Sequence, residues 1–157
     1  MAHKTPEEAK AEALARFEDQ GPDHINCAQM VVCFAALVMG RDPDLITTAR
    51  YFGGGIAGTG EACGALTGTA IALGLRDSFL TEEPEDLAPR TRGRLQELVT
   101  GFTAEFGARR CADLTGCDLS TPEGHDLFVS SGVNKRCSLF VSWMCDGLAP
   151  MLLDPDA

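Results

Sequence analysis

Apolar residues recur along this chain at helical spacing, and no stretch alternates apolar with polar for long enough to require a sheet. Thr5-Pro6-Glu7-Glu8 supplies an N-cap, a proline at the first helical position and a glutamate at the third, the parts of a capping box. Ala9, Ala13 and Phe17 share one face of the helix that follows, and Gly21-Pro22 stops it. A second helix is predicted from about Asp23 to Met39, ending at Gly40. It is apolar nearly all round, which places it at the centre of the protein. Cys27, Met30, Val31, Phe34 and Val38 form one stripe on it, with Cys27 in the first turn. Asp42-Pro43-Asp44 opens a short third helix reaching to about Tyr51.

Past Phe52 the pattern breaks. Gly53, Gly54, Gly55, Gly58 and Gly60 are too dense for helix or strand, because each glycine costs about 1 kcal/mol relative to alanine in a helix. Gly64 to Leu75 reads as a helix of small residues, where Gly64, Ala65, Gly68 and Ala72 let another backbone approach. Residues 77–89 are acidic, carry Pro84 and Pro89, and read as a surface connection. From Asp86 to Phe106 a long amphipathic helix aligns Leu95, Leu98, Val99, Phe102 and Phe106. Ser120-Thr121-Pro122-Glu123 caps a short helix that Gly132 and Asn134 break, and Cys137 to Leu153 forms an apolar last helix with Asn134 as its N-cap. The expected fold class is all-α: a compact bundle of five to seven helices, with a glycine-rich loop before a central small-residue helix, in one domain over residues 1–157.

Composition fits an ordinary globular chain, with 45% hydrophobic and 23% charged residues, so disorder is excluded. Only 6% are aromatic, which leaves the core to Ala, Leu, Val, Ile, Met and Cys. A net charge of −10 argues against nucleic acid, whose phosphates need a basic patch. Arg90, Arg92 and Arg94 are offset by Glu97 and Glu105 and read as a solvated face. The first residues lack the charged-then-apolar order of a signal peptide. Ile25 to Met39, the most apolar stretch, contains Asn26 and Gln29 and falls short of the roughly 20 apolar residues that cross a bilayer. A cytoplasmic protein without membrane insertion is expected.

Seven cysteines change the picture, because an odd number cannot pair completely within one chain. In a reducing cytosol such thiols are buried, metal-binding or catalytic rather than disulfide-bonded. Cys27, Cys63 and Cys137 fall at predicted helix starts, and Cys111 follows Arg109 and Arg110. Unpaired backbone N–H groups, the positive helix end and nearby cations all favour a thiolate, which redox exchange, nucleophilic attack and metal ligation require. The glycine loop is either a tight connection or a nest of N–H groups around an anion, a thiolate or a cluster sulfide. No Gly-Lys-Ser/Thr follows it and no strand precedes it, which excludes a P-loop and a dinucleotide fingerprint. Cys33 and Cys145 read as core filler, whereas Cys117 either bridges to Cys111 across a turn or lies near a surface loop. Glu61 either trades protons with Cys63 or caps the next helix. His24 and His125 read as surface or cap residues ahead of metal ligands, and Trp143 and Tyr51 as packing residues.

Asn26-Cys27-Ala28-Gln29, Phe52-Gly-Gly-Gly55, Gly60-Glu61-Ala62-Cys63-Gly64-Ala65-x-x-Gly68, Cys111-x-x-Leu114 and Cys137 resemble the redox-active family named for its spaced cysteines and Cys-Gly-Ala-x-x-Gly motif (C_GCAxxG_C_C), from about residue 24 to 145. The resemblance maps the family's four characteristic cysteines onto Cys27, Cys63, Cys111 and Cys137. It implies a redox protein that uses thiol/disulfide exchange or electron transfer. Cys63 is then expected as the low-pKa thiol and Cys27, Cys111 or Cys137 as its resolving partner, with an unidentified redox partner and Glu61 near the chemistry. By analogy with a related module joined to haem-carrying domains, the same four cysteines could instead ligate an iron–sulfur cluster or another soft metal. Gly53, Gly54, Gly55, Gly60 and Gly64 are the expected cofactor-binding positions. Covalent c-type haem is not expected, because Cys-x-x-Cys-His is absent from the sequence. A third reading is a non-catalytic helical interaction protein, and a homodimer is compatible with any of the three.

Overall fold

The structure, a computed structural model, describes residues 2–154. It is all-α: seven α-helices and two 3-10 turns, with no strand among the described residues. Helix α1 spans Pro6–Glu18 and starts at the expected box, with Glu8 N–H donating to Thr5 Oγ1 and Thr5 N–H to the Glu8 carboxylate. Helix α2 spans Cys27–Val38 and begins later than the apolar pattern suggested. Asn26 is the N-cap, and Gln29 closes a second capping box. The third helix is a 3-10 segment, Pro43–Ala49, capped by Asp42.

Helix α3 covers Gly64–Ser78, α4 Pro84–Phe106, α5 Cys111–Thr115, α6 Pro122–Ser130 and α7 Arg136–Leu153. The acidic stretch over 77–89 is therefore mostly the end of α3 and the start of α4, with Pro84 in the first turn, where its missing N–H costs nothing. Asn134 does not cap α7. It sits in a 3-10 turn, Val133–Lys135, that runs straight into the helix, and its buried Oδ1 has no hydrogen-bond partner among the described residues.

Helix α2 lies at the centre, as its all-round apolarity requires, and packs on α1, α3 and α7. The crossing with α3 is close: a Cβ at Gly68 would lie 2.6 Å from the Ala28 carbonyl oxygen. Phe102 and Phe106 meet Phe140 edge to face, and Trp143 joins the same stack, tying α4 to α7. Arg76 is buried at the far end of α3, where Asp77, the Thr91 hydroxyl and the Met151 carbonyl take its donors. A buried guanidinium needs partners of this kind. Tyr51, expected in core or interface packing, lies outside the core at 75% exposed. Arg90 pairs with Glu82 and Arg94 with Glu97, which agrees with a solvated face. No described helix is long and apolar enough to cross a membrane.

A four-cysteine pocket as the candidate functional site

The glycine loop turns the chain through a left-handed stretch. Gly54, Gly55, Ile56, Ala57 and Gly58 have φ of 63°, 71°, 64°, 53° and 76° in succession. Ile56 and Ala57 hold this conformation against a steric cost of about 1–2 kcal/mol each. Backbone bonds secure it: Ala57 N–H donates to the Tyr51 carbonyl at 2.8 Å and Gly58 N–H to that of Gly53 at 3.1 Å. The turn lays residues 60–63 alongside 109–112. Cys111 N–H donates to the Glu61 carbonyl at 2.7 Å, and Cys63 N–H to the Arg109 carbonyl at 2.8 Å. Gly55 sits where this clasp is tightest, since a Cβ there would lie 2.5 Å from Glu61 N and 2.7 Å from Cys111 Cβ.

Four cysteines thereby meet. Cys27 is the first residue of α2, Cys63 the N-cap of α3, Cys111 the first residue of α5 and Cys137 the second residue of α7. All four line one pocket, whose remaining wall is Gly64, Leu114, Thr115, Phe140 and Val141. Gly64 is required there, because a Cβ would fall 2.1 Å from the Cys27 sulfur. The wall is almost wholly apolar apart from sulfur, backbone and the Thr115 hydroxyl.

Cys27, Cys63 and Cys137 do lie at helix starts, and Cys111 opens α5, a helix not expected from the sequence, but the effect on the thiols runs the other way. Burial pushes the Cys63 thiol strongly up, neighbouring Cys27, Cys111 and Cys137 add to this, and a single N–H from Ala65 opposes it. Burial followed by the nearby Cys27 raises Cys111 to about 11, against help from the Thr115 hydroxyl, and raises Cys137 to about 12, against Arg136. A helix end carries only about half a charge, and loss of water outweighs it. Cys63 is therefore not the low-pKa thiol expected from its position. Cys27 is raised too, by burial, yet the N–H groups of Gly54, Ala28, Gly64 and Cys27 itself all pull it back. Of these four only Gly54 belongs to the glycine loop; the others open α2 and α3.

The other predicted positions divide. Gly54 and Gly64 direct N–H groups at Cys27. Gly53 backs onto Asn26, Gly55 onto Glu61 and Cys111, and Gly60 onto Ala112, so these three serve close packing. The Glu61 side chain points away from the pocket, exposed and 3.1 Å from Arg110. Its backbone, not its carboxylate, joins the site. His24 is exposed and bonded to the Asp19 carbonyl, and His125 is exposed. Cys33 and Cys145 are core residues, the former touched by Arg16 and the latter by the Met30 sulfur. Cys117 is itself buried, in a loop between the exposed Gly116 and Asp118. Thr115, Phe140 and Val141 were missed. The signal was helical spacing: Thr115 is four residues past Cys111, and Phe140 and Val141 are three and four past Cys137.

Four thiols suit a soft metal by donor type. Among the described residues, however, no three Cys, His, Asp or Glu side chains are arranged to hold a metal ion.

Fold and site together define an all-α protein with several thiols gathered in one buried pocket. The chain belongs to the family described as "Putative redox-active protein (C_GCAxxG_C_C)", whose sequence pattern matches residues 25–151. No curated protein and no solved structure matches the chain.

Proposed function

We propose that this protein is a thiol redox carrier in which pocket cysteines exchange with a partner's disulfide. The observation that supports this reading is the common pocket of Cys27, Cys63, Cys111 and Cys137. Cys27 and Cys137 are both half-buried, and Cys137, at the first turn of α7 beside Arg136, meets the partner first. Its sulfur attacks one sulfur of the partner disulfide, and the other leaves and takes up the Cys137 proton. Cys27, held by four N–H groups, then attacks the Cys137 sulfur and releases the second partner thiol with its own proton. Two thiols become one disulfide, and two electrons and two protons pass to the partner. The raised thiols make the resting pocket neutral and the exchange faster in alkali.

The test is anaerobic purification followed by metal analysis and thiol counting on one sample, before and after oxidised glutathione. Loss of two thiols is expected, absent in Cys27→Ser. An unchanged thiol count in metal-free protein would sink the reading. Stoichiometric iron or zinc would select the alternative, a soft-metal or iron–sulfur module with these cysteines as ligands, which donor type favours and spacing does not.

A further inference from the structure

Cys117 lies outside the pocket wall but is tied to it through one residue. Thr115 lines the pocket, and its hydroxyl donates to the Cys111 carbonyl at 2.7 Å. The same oxygen accepts from Cys117 N–H at 3.3 Å, and the Cys117 thiol donates to the Thr115 carbonyl at 3.5 Å. Gly116, at φ 69°, ends α5 and turns the chain just before Cys117. Cys117 is 4% exposed, so it has no direct route to a partner.

Resting on the thiol redox reading, the geometry points to Cys111 and Cys117 as a second dithiol that takes over the disulfide formed in the pocket. Cys111 first exchanges into the pocket disulfide: its sulfur attacks Cys27 of the Cys27–Cys137 bond, and Cys137 leaves with the Cys111 proton. Cys117 then attacks Cys111, the Cys27–Cys111 bond breaks, and the Cys117 proton moves to Cys27. The number of disulfides is unchanged and no further oxidant is consumed. The pair is closed by a short loop around Gly116, whereas the pocket is left with its thiols restored for another partner. The Thr115 hydroxyl, bonded at once to the Cys111 carbonyl and the Cys117 N–H, holds the two residues together across the turn.

Trypsin resolves the question cleanly, because Arg110 and Lys135 bracket both cysteines in one peptide, 111–135, while Cys27, Cys63 and Cys137 fall in three others. The full-length protein is oxidised with one equivalent of oxidised glutathione, alkylated, digested and mapped by mass spectrometry. The expected result is peptide 111–135 lighter by two hydrogens and free of alkylation. Cys117→Ser and Cys117→Ala should instead trap Cys111 cross-linked to the Cys27 or Cys137 peptide, with the same number of thiols lost. A Cys27–Cys137 cross-link that persists in the unsubstituted protein, with Cys111 and Cys117 both alkylated, overturns this inference and leaves the pocket reading intact. No disulfide in any peptide overturns both.

Discussion

At Gly64 the absence of a side chain is a condition for the site. An alanine there would gain about 1 kcal/mol of helix propensity over glycine. Its Cβ, however, would stand 2.1 Å from the Cys27 sulfur, far inside the contact distance of roughly 3.5–4 Å. Overpacking of this kind costs about 1–3 kcal/mol and outweighs the propensity gain. Gly64→Ala should therefore lower the urea midpoint in reductant and speed alkylation of Cys27, as the sulfur is driven from its nest. An unchanged midpoint with unchanged alkylation would show that the crossing of α2 and α3 yields more easily than these distances allow. The requirement for glycine was visible in Cys-Gly-Ala-x-x-Gly, but its object was not. Nothing in the sequence says that Gly64 makes room for a sulfur and Gly68 for the Ala28 carbonyl.

Among the elements, α2 shows what local pattern can and cannot tell. Asp23 and Asn26 both read as caps, and both precede the apolar run. Asn26 prevails because Gln29 closes its box and because its Nδ2 donates to the Arg50 carbonyl at 2.8 Å, a partner that only the folded chain provides. Loss of an asparagine cap costs about 0.5–2 kcal/mol, and the bond to Arg50 adds about 1. Asn26→Ala should thus destabilise by about 1–3 kcal/mol in urea and leave the m-value unchanged. A loss within error of zero would mean that tertiary packing alone sets the start of α2. Strong local signals marked helix starts at Thr5-Pro6, Asp42-Pro43 and Ser120-Thr121-Pro122, where Thr5, Asp42 and Thr121 prove to be the caps. Asn134 failed because Val133–Lys135 continues into α7 as a 3-10 turn and leaves no N-cap to fill. The site follows the same division. Cys27, Cys63 and Cys137 at helix starts were legible, the short helix that Cys111 opens was not, the set of four came through the family resemblance, and the burial that governs their protonation belongs to the tertiary fold.

Taken whole, the fold moves four thiols from water into one pocket, and this has a thermodynamic sign. Cys111 rises to about 11 and Cys137 to about 12, with Cys27 and Cys63 raised as well, burial leading in every case. In the unfolded chain these thiols ionise near the ordinary value of about 8.5. Above that pH the unfolded state holds fewer protons than the native state, so stability falls as pH rises. The contribution is complete below about 8.5 and is lost through the window up to the folded values, at up to about 1 kcal/mol per thiol per pH unit. Urea midpoints in anaerobic reductant should therefore drop between pH of about 7.5 and about 10. The drop should be shallower in Cys111→Ala and Cys137→Ala, which leave every lysine and tyrosine in place as an internal control. A pocket that held a metal would reverse the sign, because its thiols would be deprotonated in the native state and stability would fall toward acid instead. The slope of stability against pH thus separates a reservoir of neutral thiols from a ligand shell without assuming any partner. A midpoint flat across the alkaline range, identical in the variants, would mean that the four sulfurs remain in contact with water.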